Sequence, residues 1–292
     1  MKILVTGASG QLGYDVVREL NERGYKDVIG IGQNDLDITD ENAVKKYILN
    51  YKPDVIMHNA AWTAVDLAED NKEECFKVNV LGTRYIAETA QEIGAKLVYI
   101  STDYVFDGSG EDYFEIDSKI EPLSVYGETK YLGELESRKC EKHFIVRISW
   151  VFGINGKNFV KTMLNLAKTR KELSVVCDQI GSPTYTYDLS KLLCDMIETD
   201  KYGTYHATNE GICSWYDFAK YIFEINNIDI EVHPVKTKDY TATKAVRPLN
   251  SRLSKSSLDE AGFQRLPEWK DALKRYVKEL NKKAVNEKNS ES

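Results

Sequence analysis

A tyrosine and a lysine four residues apart, Tyr126 and Lys130, are the pair in this chain best suited to proton chemistry. Residues at this spacing share one face of a helix, so the ammonium is expected near the phenol. A free phenol has a pKa of about 10, and a nearby cation lowers it. The pair is therefore predicted to protonate a carbonyl oxygen while hydride reaches the carbon. A surface pair is the alternative, because the chain holds 18 tyrosines.

A glycine-rich turn near the start of the chain predicts a dinucleotide site. It follows a predicted strand and opens a predicted helix, which is the context such a motif requires. Glycine allows the backbone to approach a pyrophosphate closely, and the helix N-terminus supplies free N–H groups. We expect Lys130 to reach the nicotinamide ribose of this cofactor. The predicted cofactor contacts in the turn are Gly7, Ser9, Gly10, Gln11, Leu12 and Gly13.

The residues after the second predicted strand leave the choice between NADH and NADPH open. An acid there would bind the ribose 2′-hydroxyl, and an arginine would bind the 2′-phosphate. The chain has Gly32, Gln33 and Asn34 at this point. Asp37 and Ile38 follow and are expected near the adenine.

The fourth predicted strand ends in Ser101, Thr102 and Asp103. In open parallel sheets, ligands bind outside the carboxyl ends of the strands. We therefore expect Thr102 to orient a substrate carbonyl through its hydroxyl. Asp103 is expected either to shape the site or to cap the following loop.

Strands and helices alternate through the first half, which predicts a parallel sheet with right-handed crossovers. The predicted strands cover 2–6, 27–31, 54–58, 96–100 and 144–149. The predicted helices cover 14–23, 41–51, 72–93, 124–138, 159–169, 189–198, 215–226 and 268–280, with a loop-rich segment around 229–256. The predicted fold class is α/β, a Rossmann-type doubly wound parallel sheet with a smaller C-terminal substrate-binding part. The predicted domains are a cofactor domain at 1–150, a substrate-binding part at 151–281 and a flexible tail at 282–292. Some segments of the substrate-binding part are expected to return to the Rossmann core.

Composition excludes several classes of protein. The formal net charge of −7 argues against nucleic acid, which requires a basic face. The first apolar run is too short for a signal peptide or a membrane span. Five cysteines, an odd number without C-x-x-C spacing, predict reduced thiols and a cytoplasmic protein. Four histidines, at 58, 143, 206 and 233, are too scattered for a metal motif.

The motifs together resemble those of the dTDP-4-dehydrorhamnose reductases, which are extended short-chain dehydrogenases/reductases. The resemblance runs in order over nearly all of residues 1–280. The segments that carry it are 7–13, 59–66, 101–108, 126–130, 147–153, 158–159, 178–184 and 247–253.

The resemblance implies roles for individual residues. The catalytic positions are Thr102, Tyr126 and Lys130, with Asp103 beside them. Further cofactor contacts are Ala60, Ala61, Thr63 and Ser101. Substrate contacts are Thr102, Asp103, Val105, Phe106, Tyr126, Trp150, Arg247 and Asn250. A guanidinium such as that of Arg247 grips a pyrophosphate bidentately.

Some members of this family hold Mg²⁺ at a dimer interface through carboxylates. Asp15 matches an acidic position in the first helix, but residues 185–188 do not place an acid where a ligand pair would need it. We predict no metal.

The resemblance implies NAD(P)H-dependent reduction of the 4-keto group of a dTDP-6-deoxy-hexulose. The expected ligand is then a small nucleotide-sugar, and neither nucleic acid nor a membrane is an expected partner. The protein is expected to be a monomer or a homodimer. One alternative is a nucleotide-sugar epimerase or dehydratase of the same superfamily. Another is a non-catalytic regulatory subunit, like the β-subunit of methionine adenosyltransferase.

Overall fold

The computed structural model describes residues 1–240 and 243–290. Its centre is a six-stranded sheet in which every neighbouring pair is parallel. In spatial order, its strands are β10 (Gly203–His206), β5 (His143–Ile148), β4 (Lys96–Thr102), β3 (Val55–His58), β1 (Lys2–Thr6) and β2 (Asp27–Ile31).

Helices cover both faces of this sheet. The helices of the first half are α1 (Gln11–Glu22), α2 (Glu41–Tyr51), α3 (Val65–Ala68), α4 (Lys72–Phe76), α5 (Thr83–Ile93) and α6 (Val125–Ser137). Those of the second half are α7 (Phe159–Leu166), α8 (Thr186–Ile197), α9 (Trp215–Ile225), α10 (Ser256–Glu260) and α11 (Trp269–Ser290). A π-helical turn, Lys77–Gly82, joins α4 to α5, and 3-10 turns cover Asp103–Val105 and Thr237–Asp239.

The main core lies on the two faces of the sheet. Strands buried on both faces read as continuous apolar runs, and Ile3, Leu4 and Val5 in β1 are all fully buried. Leu189 and Leu193 of α8 join the core on the α1 face. Helices α2 and α5 close the opposite face.

A second core lies among α7, α9 and α11 and is rich in aromatic rings that contact one another, including Phe152, Phe218 and Tyr276. The short strands of this half are β6 (Val151–Phe152), β7 (Glu172–Val176), β8 (Ile180–Gly181), β9 (Thr184–Tyr185), β11 (Asn209–Glu210), β12 (Cys213–Ser214), β13 (Glu231–Val235), β14 (Asn250–Ser251) and β15 (Leu266–Glu268). They pair in small sheets beside the carboxyl edge of the main one.

The predicted fold class is confirmed: a doubly wound parallel sheet carries a smaller second core. Strand β10 lies in the second half of the chain yet pairs with β5. The segment predicted as loop-rich contains β13, which pairs in parallel with β7. Helix α11 continues ten residues past its predicted end at Leu280. The domain boundaries and the flexibility of residues 282–292, of which 291–292 lie outside the described residues, stay predictions.

None of the helices in the described ranges has both the length and the hydrophobicity that a membrane crossing requires.

Candidate active site

Tyr126 and Lys130 lie in the first two turns of α6, as the spacing predicts. Ser124 caps this helix, because its hydroxyl accepts a hydrogen bond from Gly127 N at 3.1 Å. A Cβ on Gly127 would come within 2.2 Å of the Tyr104 carbonyl oxygen. Glycine at this position therefore allows α6 to approach the end of β4 closely.

The Tyr126 side chain is half-buried, with its ring edge-on to Tyr104 at 5.5 Å between centroids. Burial raises the pKa of Tyr126 well above its usual value, and a hydrogen bond with the Thr102 hydroxyl opposes that rise. The expected lowering of the Tyr126 pKa is therefore wrong, because burial disfavours the phenolate and dominates. Tyr126 is therefore a neutral proton donor at pH 7.

Lys130 is buried, and burial lowers its pKa to about 7, although Glu134 opposes that change. Its Nζ lies over the Tyr99 ring, 4.1 Å from the centroid. The Tyr99 hydroxyl donates to the Lys130 carbonyl oxygen at 3.1 Å. The ammonium is thus shielded from water, which favours loss of its proton.

Thr102 ends β4, and its hydroxyl lies in a short network. It donates to Asp103 Oδ1 at 2.9 Å and accepts from Tyr104 N at 3.2 Å. Asp103 Oδ2 in turn accepts from the Ser251 hydroxyl at 2.5 Å. Burial raises the pKa of Asp103 to about 6. Asp103 therefore fits the first of its two predicted roles, shaping the site, because its hydrogen bond fixes the Thr102 rotamer.

A fully buried ion pair joins α6 to the strands beside it. Glu134 accepts two hydrogen bonds from the Arg147 guanidinium, each 2.8 Å long. The Ser101 hydroxyl donates to the same carboxylate at 2.6 Å. Ser101, predicted as a cofactor contact, thus also ties the end of β4 to α6. Removing one partner of such a pair leaves an uncompensated buried charge.

The glycine turn fits a dinucleotide diphosphate. Gly7 has a φ of 65°, and a Cβ there would lie 2.7 Å from Ala60 N. Gly10 precedes α1 without a side-chain cap, and the first turn of α1 contains no acid. The first N–H groups of α1, from Gln11, Leu12 and Gly13, therefore stay available to an anion, and Ser9 is exposed in the same turn.

Two asparagines from the second half support this turn. Asn155 Nδ2 donates to Ser9 O at 2.8 Å, and Asn158 Nδ2 donates to Gln11 Oε1 at 3.1 Å. The sequence analysis missed Asn155, which has no motif of its own.

Ala60, Ala61 and Thr63 line the turn after β3, next to Gly7. A buried chain of hydrogen bonds holds this turn: Ala60 N donates to the Thr6 hydroxyl, which lies 2.8 Å from His58 Nδ1. His58 Nε2 lies 3.1 Å from the Thr83 hydroxyl. Burial lowers the pKa of His58 to about 3, so the ring is neutral.

Asn79, in the π-helical turn, fixes the same loop from the other side. Its Oδ1 accepts from Trp62 N at 2.8 Å, and its Nδ2 donates to Trp62 O at 3.2 Å. The same Nδ2 reaches the Thr129 hydroxyl at 3.1 Å, next to Lys130. The sequence analysis missed this link, although π-turns occur frequently at functional sites.

The two acids near the expected adenine site accept hydrogen bonds from neighbouring residues. Asp37 is exposed, and its Oδ1 accepts hydrogen bonds from the backbone N–H of Thr39 at 2.9 Å and from the Thr39 hydroxyl at 2.7 Å. Asp35 Oδ2 accepts from Gly32 N at 2.8 Å. Ile38 is buried, with Cδ1 2.9 Å from where a Cβ on Gly82 would lie. The roles of Asp37 and Ile38 as cofactor contacts stay predictions.

Arg247 lies beside Tyr104 at the mouth of the site. Its Nη1 donates to the Tyr104 hydroxyl at 3.0 Å, and its Nη2 donates to Asp66 Oδ2 at 2.6 Å. Tyr104 thus lies between Arg247 and Tyr126, since its hydroxyl contacts the guanidinium and its ring contacts the Tyr126 ring. The role of Arg247 as a substrate contact stays a prediction.

Three other predicted substrate residues are buried and support the surrounding loops. Val105 and Phe106 pack against Leu253, and Phe106 stacks on Phe114 at 4.4 Å. Asn250 Nδ2 donates to the carbonyl oxygens of Ser109 and Asp112, at 3.3 and 2.8 Å. Their role as direct substrate contacts stays a prediction.

Trp150 follows β5 in a left-handed backbone conformation, with a φ of 50°. Such a conformation is costly outside glycine and occurs often at functional sites. The ring stacks on Trp215 at 3.9 Å. Trp215, which was not among the predicted site residues, therefore holds the Trp150 ring in place, and the role of Trp150 as a substrate contact stays a prediction.

Asp15 is fully buried in α1 and accepts a hydrogen bond from the Thr186 hydroxyl. Burial raises its pKa to about 6. Asp188, the acid of the segment discussed for Mg²⁺, instead accepts two bonds from Arg275 at 2.6 and 2.7 Å.

Comparisons with known proteins agree with this geometry. The family model described as the RmlD substrate binding domain matches residues 1–282. The spore coat polysaccharide biosynthesis protein SpsK of Bacillus subtilis is 42% identical over 95% of this chain and 97% of that protein. A dTDP-4-dehydrorhamnose reductase of Aggregatibacter actinomycetemcomitans is 42% identical over 94% of this chain and 97% of its own length. A crystal structure of dTDP-4-dehydrorhamnose reductase from Bacillus anthracis in complex with NADP is 43% identical, with a TM-score of 0.92 over 96% of this chain and all of that one.

Proposed function

The chain belongs to the RmlD substrate binding domain family, and we propose that it is the NADPH- or NADH-dependent reductase that converts dTDP-4-dehydro-L-rhamnose to dTDP-L-rhamnose. The observation that carries this proposal is the meeting of the Tyr126 and Thr102 hydroxyls at the end of β4, with Lys130 buried one turn further along α6. The product is a precursor of cell-surface polysaccharide.

Tyr126 holds the 4-keto oxygen, and Thr102 joins it when its single hydroxyl proton turns from Asp103 Oδ1 to that oxygen. When bound, the nicotinamide cofactor supplies hydride to the 4-keto carbon. The neutral Tyr126 hydroxyl donates its proton to the oxygen as negative charge develops there. Before the substrate binds, Asp103 holds the Thr102 side chain in position by accepting that proton, and Lys130 would hold the cofactor ribose.

The residues that hold the cofactor come from three carboxyl-edge turns. They are Gly7, Ser9, Gly10, Gln11, Leu12 and Gly13 after β1, Asp37 and Ile38 after β2, and Ala60, Ala61 and Thr63 after β3, with Ser101 beside them. Trp150 and Arg247 face the nucleotide-sugar, and Val105, Phe106 and Asn250 shape its pocket.

The direct test is oxidation of NADPH and NADH, followed at 340 nm, with purified protein and dTDP-4-dehydro-L-rhamnose. We expect turnover with at least one cofactor and formation of dTDP-L-rhamnose. The matched control substrate is dTDP-L-rhamnose, which lacks the ketone and should oxidise neither cofactor. Absence of turnover with both cofactors would refute the proposal.

The two alternative functions predict different behaviour. An epimerase or dehydratase of this superfamily retains NAD tightly and returns the hydride, so the purified protein would carry stoichiometric NAD. A regulatory subunit would show no reductase activity and would co-purify with a catalytic partner. The presence of both Tyr126 and Lys130 favours the reductase over the regulatory subunit. The short C-terminal part and the segment 247–253 favour it over the epimerase or dehydratase.

We place the protein in the cytoplasm as a monomer or homodimer. All five cysteines are unpaired, and four of them are buried, which suits a reducing compartment. Sedimentation of the purified protein tests the oligomeric state.

A further inference from the structure

Asp66 connects the cofactor half of the molecule to the segment that carries Arg247. It lies on α3, three residues after the cofactor-lining Thr63. Its Oδ1 accepts from the backbone N–H groups of Lys244 and Ala245, both at 3.0 Å. Its Oδ2 accepts from Arg247 Nη2 at 2.6 Å. One carboxylate therefore fixes both the backbone of the segment and its guanidinium.

Tyr104, in the 3-10 turn that follows β4, contacts the same guanidinium. Its hydroxyl oxygen accepts from Arg247 Nη1 at 3.0 Å. Within the ranges that the structure describes, Arg247 Nε–H has no acceptor, and neither does the Tyr104 O–H. Nη1 and Nη2 each use one N–H for orientation, and the Nε–H, without an acceptor among the described residues, can bind a ligand together with the second N–H of each Nη. Because the guanidinium is planar, two fixed nitrogens determine the direction of the third.

The Tyr104 ring extends this arrangement to the proton donor, since it packs edge-on against the Tyr126 ring at 79° between planes. Burial raises the pKa of Tyr104 to about 12, although Arg247 opposes the rise. The hydroxyl therefore keeps its proton at pH 7 and can offer it to an anionic oxygen.

We propose that Asp66 and Tyr104 are positioning residues for the nucleotide-sugar: together they orient Arg247 towards its diphosphate, and the Tyr104 ring holds Tyr126 against the sugar. The proposal rests on the proposed function only in taking a nucleoside diphosphate sugar as the ligand. The negative charge of Asp66 is already compensated by three donors, so it orients the arginine without strongly repelling the diphosphate.

The test uses dTDP, whose binding needs no turnover, and titration calorimetry on the full-length protein. Asp66→Asn keeps an oxygen for the two backbone N–H groups but removes the acceptor for Arg247. Tyr104→Phe removes only the hydroxyl. We expect each variant to raise the Kd for dTDP about tenfold, the order of one oriented charge-assisted bond. Asp70→Asn is the matched control, because Asp70 pairs with exposed Lys244 in the same segment and should leave Kd unchanged.

Kinetics separate this role from a merely structural one. Asp66→Asn and Tyr104→Phe should raise KM for the nucleotide-sugar and leave kcat within about twofold. Tyr104→Leu, which also removes the ring, should lower kcat as well. In an Arg247→Ala background, Asp66→Asn should have no further effect, since it acts through the arginine.

The outcomes distinguish the two proposals. Unchanged dTDP binding in both Asp66→Asn and Tyr104→Phe would overturn the positioning role while leaving the reductase intact. So would additive losses in the double variant with Arg247→Ala. If both variants bind dTDP more weakly than the wild type, but the wild type turns over no ketone, the positioning role is supported and the reductase is refuted. A wild-type protein that binds no dTDP would refute both.

Discussion

The replacement Tyr126→Phe tests the chemical step most directly. It removes one oxygen and keeps the ring, so the edge-on contact with Tyr104 at 5.5 Å is preserved. The hydroxyl is lost from the Thr102 hydrogen bond, but Thr102 keeps Asp103 as its acceptor at 2.9 Å. The expected loss of stability is therefore about 1 kcal/mol, the net value of one hydrogen bond.

The expected loss of activity is much larger. General acid catalysis contributes about 10²- to 10⁴-fold, or roughly 2.7 to 5.4 kcal/mol of activation free energy. We expect kcat/KM for the nucleotide-sugar to fall by at least that lower bound, with NADPH affinity retained. The assay is NADPH oxidation at 340 nm, combined with a fluorescence titration of NADPH.

Tyr131→Phe is the matched control, because Tyr131 lies on the same helix and its hydroxyl makes no hydrogen bond within the described residues. It should leave kcat/KM unchanged. Near-normal turnover of Tyr126→Phe would refute the mechanism and move the proton donor to Asp103 or a bound water. Lys130→Met should lower both activity and cofactor affinity, and its effect should not add to that of Tyr126→Phe.

Four further predictions follow from the site and its supports. Arg247→Ala should weaken dTDP-L-rhamnose binding by about 2–3 kcal/mol in a calorimetric titration; an equal loss of NADPH affinity would contradict its assignment to the substrate. The kcat/KM values for NADPH and NADH should differ by less than about a hundredfold, roughly 2.7 kcal/mol, and a preference above about a thousandfold would show that the residues after β2 were misread. Glu134→Gln should lower the free energy of unfolding in urea by about 3–5 kcal/mol, because Arg147 is left buried without its charge partner; an unchanged unfolding midpoint would argue against that pair. Between pH 7 and about 10, folded Lys130 is mostly neutral and unfolded Lys130 protonated, so wild-type stability should rise with pH relative to Lys130→Met by up to about 1.4 kcal/mol per pH unit; parallel pH curves for the two proteins would refute the lowered pKa.

Local patterns in the sequence were sufficient for the fold class and for the reacting groups. The glycine turn and the Tyr126–Lys130 spacing each depend on the geometry of one turn or one helix, which a few neighbouring residues determine. Strands β1 and β2 were predicted with their observed ends, because each is a short apolar run that a glycine follows directly, Gly7 after β1 and Gly32 after β2. The convergence of Gly7, Ala60 and Thr102 then followed from parallel strands alone, since their carboxyl ends meet at one edge.

The side chains that orient those groups required the tertiary structure. Asp66 and Arg247 are 181 positions apart in the chain, and Asp103 and Ser251 are 148 apart. Nothing local to either partner shows that a long-range hydrogen bond will form, because it depends on how the second half folds back over the carboxyl edge of the sheet. The pKa of Tyr126 illustrates the same limit: the helix spacing predicted a lowering by Lys130, but burial of both groups raises the tyrosine pKa and lowers that of the lysine. Spacing determines which groups are neighbours, whereas their charges depend on how far the completed fold excludes water.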